Sequence, residues 1–201
     1  MRINKYIANS GSASRRGADE LIKQGKVKVN GKVVTDLATI INEDNDTVVV
    51  DGIKISASVK PIYIMFNKPK GCVCTLKDDK DRKTVMDYLT DFSNRRIFPI
   101  GRLDYNTEGL LLLTNDGDLS YKLTHPSNEI PKTYSVKVAT ELTESDAAKL
   151  RKGIVLDGMK LQPCKIKPMG VDERGLFRYD VTIFEGKNRQ LHRMFAEIGK
   201  E

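Results

Sequence analysis

The chain has 201 residues, of which 39% are hydrophobic, enough for one ordinary domain or for a small domain joined to a medium one. Its formal net charge of +7 at pH 7 favours a polyanionic partner, either nucleic acid or a membrane surface. No apolar run approaches the roughly 18 residues of a membrane span, and the N-terminus lacks the apolar core of a signal peptide, so we expect a cytoplasmic protein that does not enter a membrane.

Two short helices are predicted at the N-terminus. Ile3, Tyr6 and Ile7 share one helical face, which indicates a first amphipathic helix. Ser14 is a suitable N-cap for a second helix, and Gly25 is placed to end it.

Two hairpins are predicted to follow these helices. Asn30-Gly31 and Asp51-Gly52 each separate short runs of alternating apolar and polar residues, which is the sequence pattern of a tight hairpin turn. The helices and hairpins together predict a compact module over residues 1–57. The small and polar residues after it predict a linker over 58–61.

From residue 62 to 201 strand and helix patterns alternate, which predicts a mixed α+β domain. The predicted strands cover 62–66, 109–114, 133–139 and 177–185. The predicted helices cover 84–92, 116–125 and 143–153. These segments give the second domain a sheet with helices beside it.

The three cysteines, Cys72, Cys74 and Cys164, are predicted to be reduced core residues. Three cysteines cannot all pair with one another, and with only two histidines in the chain they offer no zinc-ligand spacing. The chain also lacks the glycine-rich motifs that bind nucleotide phosphates. We therefore expect neither a metal nor a cofactor.

Basic residues are concentrated in the N-terminal module, where residues 1–34 hold eight Lys or Arg against two acids. Its Ser-Arg-Arg at 14–16 and its Gly-Lys-Val-Lys-Val-Asn-Gly hairpin at 25–31 resemble the small RNA-binding domain first recognised in a small-subunit ribosomal protein, protein S-four. The implied RNA contacts are Lys5, Arg15, Arg16, Lys26, Lys28 and Lys32. The alternative is a solvated basic face that serves solubility alone.

The sequence GRLDYNTEGLLLLTNDG, at 101–117, joins a charged loop to four leucines. The leucines predict a short strand buried on both faces, and the loop before it carries Asp104. Asp104 is then either a reactive group held by a rigid element or an Asx-turn carboxylate that satisfies its own loop. Spacing alone leaves both interpretations open.

The same stretch resembles the signature of pseudouridine synthases, in particular the RsuA/RluB branch that modifies ribosomal RNA. Further matches are NKPKG at 67–71, HPSNEIPKTYSV at 125–136 and EGKNRQLHRM at 185–194. The resemblance implies a mixed, mainly antiparallel catalytic sheet with flanking helices. It makes Asp104 the essential carboxylate of a reaction that breaks the N-glycosidic bond of uridine and rejoins the base through carbon. That reaction needs no cofactor and no metal.

The resemblance also assigns the other site residues. Tyr134 is implied to stack on the uracil and Leu191 to wall the pocket. The family places a basic residue after that aliphatic position, but this chain has His192, so His192, Arg189 or Arg193 is expected to pair with the carboxylate. His192 could equally be an ordinary residue at a helix start. Phosphate contacts or loop supports are expected at Lys68, Lys70 and Arg102.

Two expectations concern the protein as a whole. The resemblance favours ribosomal RNA of the large subunit as the partner, and a monomer. Relatives extend beyond the last motif, so the catalytic domain is expected to lack its C-terminal part. That shortening leaves one alternative function: an impaired homologue that acts as an RNA-binding or ribosome-assembly protein.

Overall fold

The structure is a computed structural model that describes residues 1–56, 59–92 and 95–200. The chain divides into two compact units, Met1–Tyr121 and Lys122–Glu201. The predicted boundary between the module at 1–57 and the linker at 58–61 stays a prediction, because residues 57 and 58 lie outside the described residues. Among the described residues, no helix is long and apolar enough to cross a membrane.

The N-terminal part of unit 1 has the predicted two helices and two hairpins. Ser14 caps the second helix, with its Oγ accepting a hydrogen bond of 2.9 Å from the Gly17 N–H. Asn30 and Gly31 both have positive φ, as the predicted tight turn requires. The helices are α1 (Ile3–Asn9) and α2 (Arg15–Lys23), and the antiparallel sheet has the order β2-β1-β3-β4, with β1 (Val27–Val29), β2 (Lys32–Val33), β3 (Val48–Val50) and β4 (Ile53–Ile55).

The rest of unit 1 is built on a three-stranded antiparallel sheet of β5 (Tyr63–Lys68), β6 (Phe98–Ile100) and β7 (Gly109–Thr114), with β7 in the centre. The prediction that the leucine run is buried on both faces is wrong. Leu111 and Leu113 are buried in a core cluster, but Leu110 is 64% exposed. Successive strand side chains point to opposite faces, and only one face of β7 is covered.

The prediction of one helix over 84–92 is also wrong. Two short 3₁₀ helices lie there, Val85–Tyr88 and Thr90–Phe92. Thr84 and Asp87 form a capping box that starts the first of them, and Leu89, with φ −118°, ends it. The segment is rich in β-branched and aromatic residues, which have modest helix propensity, so no long α-helix forms.

Unit 2 contains a three-stranded antiparallel sheet of β8 (Lys132–Val138), β11 (Lys165–Val171) and β12 (Phe177–Ile183), with β12 in the centre. Leu150 of one helix and Met194 and Phe195 of another are buried in the same cluster as the sheet residues Tyr179 and Val181. Helix α3 (Gly117–Thr124) spans the boundary between the units. The remaining elements are α4 (Glu144–Arg151), α5 (Gln190–Glu197) and the two-stranded hairpin of β9 (Val155–Leu156) and β10 (Met159–Lys160), besides a short 3₁₀ turn at Pro126–Asn128.

Asp172, at the turn that joins β11 to β12, gives unit 2 a pH-dependent contact. Its carboxylate accepts a hydrogen bond of 2.7 Å from Lys137 Nζ and bonds from the N–H groups of Arg174 and Leu176. These bonds lower the Asp172 pKa from 3.8 to about 2, and the bond from Lys137 has the largest effect. A carboxylate whose pKa is lower in the folded state stabilises the fold above its unfolded pKa and loses that effect as the pH falls through the folded value.

We therefore expect Asp172→Asn to lower the melting temperature at pH 7. The difference from the unmodified protein should shrink between about pH 4 and pH 2, where Asp172 takes up its proton. Thermal melts followed by circular dichroism across that range would measure it. The exposed neighbour Glu173, changed to Gln, is the control, and a pH-independent difference for Asp172→Asn would contradict the assignment.

Candidate active site

Asp104 lies in the tight loop between β6 and β7 and is half-buried. The turn is closed by the Asp104 backbone carbonyl, which accepts a hydrogen bond of 3.0 Å from the Thr107 N–H. Among the described residues of unit 1, none hydrogen-bonds or ion-pairs with the Asp104 side chain. The Asx-turn interpretation required that side chain to satisfy its own loop. No such bond is present among the described residues of unit 1.

Lys68, at the end of β5, is 0% exposed and is not available to phosphate, contrary to its predicted place among the RNA contacts. Its Nζ donates to three backbone carbonyls, those of Pro69 at 3.0 Å, Asp104 at 3.0 Å and Thr107 at 2.8 Å. An ammonium group has three hydrogens, so all of its donors are used. Lys68 thus acts as a support of the Asp104 loop, the second of its two predicted roles.

Two other residues of the NKPKGCVC segment contact the same loop. The Gly71 N–H donates to the Tyr105 carbonyl at 2.9 Å. The Cys74 Sγ accepts from the Leu103 N–H at 3.3 Å and donates to the Leu103 carbonyl at 3.4 Å. Residues 68–74 therefore line the inner side of the Asp104 loop from Leu103 to Thr107.

Lys70 and Arg102 lie on the surface, and the phosphate contacts predicted for them stay predictions. Both residues are exposed, and the Lys70 Nζ lies 3.9 Å from a Glu108 carboxylate oxygen, a loose pair in which both side chains remain well solvated. Among the described residues, neither side chain hydrogen-bonds the loop backbone as that of Lys68 does.

The predicted basic surface of the N-terminal module is exposed except at one residue. Five of the six cations are fully on the surface: Arg15, Arg16, Lys26, Lys28 and Lys32. Lys5 is half-buried and forms an ion pair of 2.7 Å with Asp118 of α3, within unit 1. Lys5 would have to leave that carboxylate to reach a phosphate.

Tyr134 and Leu191, the two predicted base contacts, lie in unit 2, whereas Asp104 lies in unit 1. Tyr134 is half-buried on β8, on the face that it shares with Val136 and Val138. Leu191, in the first turn of α5, is also half-buried, and both side chains pack against the same hydrophobic cluster. Tyr134 and Leu191 therefore pack against one hydrophobic core of unit 2.

Arg189 and His192, at the start of α5, are exposed, and Arg189 has the unusual backbone φ of +46°. A non-glycine residue in this left-handed region is uncommon and strained, and such residues concentrate at functional sites. Arg193, the third candidate cation, forms an ion pair of 2.6 Å with Asp157 at the tip of the β9–β10 hairpin. Arg189 and His192 are thus the more accessible basic residues of this motif.

Gln190 and Glu185, which were not predicted from the sequence, organise the turn before α5. Gln190 is buried, and its Oε1 accepts from the Lys187 N–H at 2.9 Å, while its Nε2 donates to Glu185 at 3.2 Å. Glu185 also accepts from the Gln162 N–H at 3.0 Å. A glutamine next to an arginine carries no distinctive signal, since either can be an exposed polar residue.

The cysteines are free, as predicted, and Cys72 and Cys164 are buried. Burial raises the pKa of the Cys164 thiol from 9.0 to about 11, which keeps it protonated and unreactive at neutral pH. Within the described part of the chain, no three or more His, Cys, Asp or Glu residues are grouped closely enough to hold a metal ion.

Comparison with known proteins finds one family match for the N-terminal module and another for the second domain. The RNA pseudouridylate synthase family matches residues 62–197, and the S4 domain matches residues 1–48. Ribosomal large subunit pseudouridine synthase B of Bacillus subtilis is 47% identical over 201 residues, which cover 100% of this chain and 81% of that protein. An uncharacterized RNA pseudouridine synthase of Aquifex aeolicus is 38% identical over 99% of this chain and 79% of its own length.

A solved structure agrees with these relatives. A crystal structure of a pseudouridylate synthase superposes with a TM-score of 0.67 at 32% sequence identity, and the match covers 100% of this chain and 84% of that one. The α+β fold class is therefore confirmed, with an RNA-binding domain before an antiparallel catalytic sheet. The chain belongs to the RNA pseudouridylate synthase family and is an RNA-binding enzyme that isomerises uridine in RNA to pseudouridine.

Proposed function

We propose that this enzyme isomerises specific uridines in ribosomal RNA, with the large-subunit RNA favoured, and that Asp104 is its catalytic carboxylate. The observation that carries the proposal is the state of Asp104: its backbone carbonyl is bonded by Thr107 and Lys68, while its side chain has no bond among the described residues of unit 1. The large-subunit preference is supported by the 47% identical Bacillus subtilis relative, which is named for that subunit.

The proposed chemistry uses the carboxylate in one of two ways. Asp104 attacks the ribose as the uracil leaves, or it takes a proton from C2′ of the ribose. In both, the glycosidic bond to nitrogen breaks, the base turns, a bond from C5 to the ribose forms, and the C5 proton is lost. In the first route the bond from Asp104 to the ribose breaks as C5 attaches, and in the second the proton returns to C2′. No atom is added or removed overall, because the C5 proton is replaced by one on the freed nitrogen.

The roles of the residues in unit 2 follow from the same proposal. Tyr134 stacks on the uracil, a contact worth roughly 1–3 kcal/mol, which helps to hold a base that must leave its helix. Leu191 supplies an apolar wall, and Arg189 or His192 supplies the positive charge that keeps a carboxylate ionised. We also propose that one copy of the chain is sufficient and that it works in the cytoplasm, where its RNA substrate is made.

The N-terminal basic surface is proposed to hold RNA phosphates without reading bases. We expect the double variant Arg15→Ala and Arg16→Ala to weaken RNA binding at low salt. The plot of log affinity against log salt should also become less steep by about 1 to 2, since each lost phosphate contact removes about 0.7 to 0.9 from the slope. Filter binding at several salt concentrations would measure both quantities.

Lys23→Ala is the matched control for this prediction, because Lys23 is an exposed cation of the same helix that pairs with Glu20 at 3.1 Å. It should leave the slope nearly unchanged. An unchanged slope in the arginine variant would instead show that these residues form a solvated face that RNA does not touch.

The substrate is tested by tritium release from RNA labelled at C5 of uridine. Transcripts of large-subunit RNA, small-subunit RNA and transfer RNA are each incubated with the full chain. Release from the large-subunit transcript at the highest rate supports the proposal. Faster release from another transcript would reassign the substrate, and no release from any of them, with RNA still bound, would favour the assembly-protein alternative.

A further inference from the structure

One face of the three-stranded sheet in unit 2 is open and basic. Val136, Tyr179 and Val181 point into the hydrophobic cluster that α4 and α5 cover, so the strand residues next to them in sequence point to the opposite face. The basic sheet face is formed by four cations on that side: Lys137 of β8, Lys165 and Lys167 of β11, and Arg178 of β12.

We propose that the basic sheet face is a second RNA-binding surface of the enzyme, which holds the phosphate backbone of the RNA. It is separate from the surface of the N-terminal module, because it belongs to unit 2. The inference goes beyond the proposed function, since it depends neither on Asp104 nor on the choice of ribosomal subunit. It uses only the binding of RNA, which follows from membership of the family.

Like charges lie opposite each other on the basic sheet face. Arg178 is the direct cross-strand neighbour of Lys137 in the register of β12 and β8. Like charges in such positions destabilise a pair of strands. Asp172 offsets the charge of Lys137 with an ion pair of 2.7 Å, but among the described residues of unit 2 no carboxylate pairs with Arg178. A phosphate group bound here would supply the missing anion.

The guanidinium of Arg178 also has an unused donor. Its Nε is buried and has no hydrogen-bond partner among the described residues. A buried N–H without an acceptor costs free energy. Arginine binds phosphate through two parallel N–H bonds, for which its planar group is suited. A phosphate that draws this half-buried side chain outward would therefore give the Nε donor an acceptor.

Lys165 and Lys167 extend the positive charge to the edge strand β11. Both are exposed, and in the part of unit 2 that the structure describes neither forms an ion pair. Their Cα atoms are about 6.6 Å apart along the strand, close to the distance between successive phosphates of an RNA chain. Asp172 and Asp180 are the carboxylates beside the four cations, which leaves an excess of two positive charges. This charge is complementary to a polyanion.

Hydroxyl groups on the same side of the sheet suit a backbone contact. Thr133 Oγ1 and Thr182 Oγ1 lie 2.8 Å apart, so one of their two hydroxyl hydrogens is used between them and the other can be donated to a phosphate oxygen. Ser135 is exposed on the same strand as Thr133. Phosphate oxygens are common to every nucleotide, so these contacts should position RNA without reading its sequence.

The test compares the unmodified full chain with the double variant Lys165→Gln and Lys167→Gln. Glutamine keeps much of the length of lysine and removes the charge. The matched control is the double variant Lys149→Gln and Lys152→Gln, which removes the same charge from two exposed residues at the end of α4. Leu150 of that helix packs on the apolar face of the sheet, opposite the basic sheet face.

Filter binding of a large-subunit RNA transcript at several salt concentrations measures the contribution of the two lysines. The slope of log affinity against log salt should become less steep by about 1.4 to 1.8 in the β11 variant, since two phosphate contacts are lost at about 0.7 to 0.9 each. Affinity at low salt should fall on the order of tenfold. The KM of tritium release should rise with kcat unchanged, and the control variant should behave like the unmodified protein.

Acetylation of lysines in the unmodified protein, with and without the transcript, tests the same surface without a substitution. Mass spectrometry should show that RNA protects Lys165 and Lys167 but not Lys149 and Lys152. Equal acetylation of Lys165 and Lys167 in the two samples would overturn the proposal, as would an unchanged salt slope in the β11 variant.

An equal change of slope in the control variant would also overturn the proposal, because net charge and not the basic sheet face would then govern binding. An unmodified protein that binds the transcripts but releases no tritium, with the slope still altered in the β11 variant, would refute the proposed function and leave this RNA-binding surface in place.

Discussion

Asp104→Asn is expected to lower the rate of pseudouridine formation by at least about 10⁴-fold, the scale seen when an essential nucleophile or base is removed. Asparagine has the same shape as aspartate but can neither attack the ribose nor accept a proton from it. The loop should keep its conformation, because it is held through the backbone by Lys68 and Thr107 and not through the carboxylate. RNA affinity should therefore change by no more than about two- to threefold.

Single-turnover tritium release, with enzyme in excess over labelled RNA, would measure the rate, and filter binding would measure the affinity. Asp79→Asn is the matched control, since Asp79 is an exposed carboxylate of the same unit. It should behave like the unmodified protein. A variant Asp104→Asn that kept even a tenth of the rate would show that the carboxylate has another role.

Gly153→Ala is expected to destabilise unit 2 by about 3 kcal/mol or more. Gly153 follows α4 with φ +84°, a left-handed conformation that costs a non-glycine residue roughly 1–2 kcal/mol. A Cβ at this position would also collide with the carbonyl oxygen of Leu161, which is part of the rigid backbone. Strain and collision add, because relieving the collision would require the chain to leave the conformation that ends α4.

Gly158→Ala separates the two contributions. Gly158 also has a positive φ, +74°, but open space surrounds the position of its missing Cβ. It should cost only the conformational strain, about 1–2 kcal/mol. Urea unfolding followed by circular dichroism would give both free energies, and equal losses in the two variants would contradict the collision at Gly153.

Local signals in the sequence predicted much of the fold. Ser14 caps its helix as predicted, and the Asn30-Gly31 turn joins its two strands. Each of these features depends on residues within a few positions of one another. For the same reason the central strand β7 was found at its observed bounds.

Predictions failed where distant parts of the chain decide the structure. Strand β11 was not predicted, because Pro168 and Gly170 normally interrupt a strand. Proline is tolerated there because β11 is at the edge of its three-stranded sheet, and a register shift occurs between Pro168 and Val171. The β9–β10 hairpin was also missed, although its Asp157-Gly158 turn is a recognisable signal, because its strands have only two residues each.

The candidate site shows the same limit. Asp104 was identified from its motif, which is local. The burial of Lys68 was not predictable, because its acceptors at Asp104 and Thr107 lie 36 and 39 residues away in sequence. A lysine between an asparagine and a proline looks like any exposed cation until the fold brings those carbonyls to it.

The most direct test of the proposed function is the amount of pseudouridine formed in large-subunit ribosomal RNA. Unmodified transcript is incubated with the full chain or with Asp104→Asn, digested to nucleosides, and quantified by mass spectrometry. We expect pseudouridine in constant proportion to the RNA with the unmodified protein and none above background with the variant. Equal amounts in the two samples, or none in either, would contradict it.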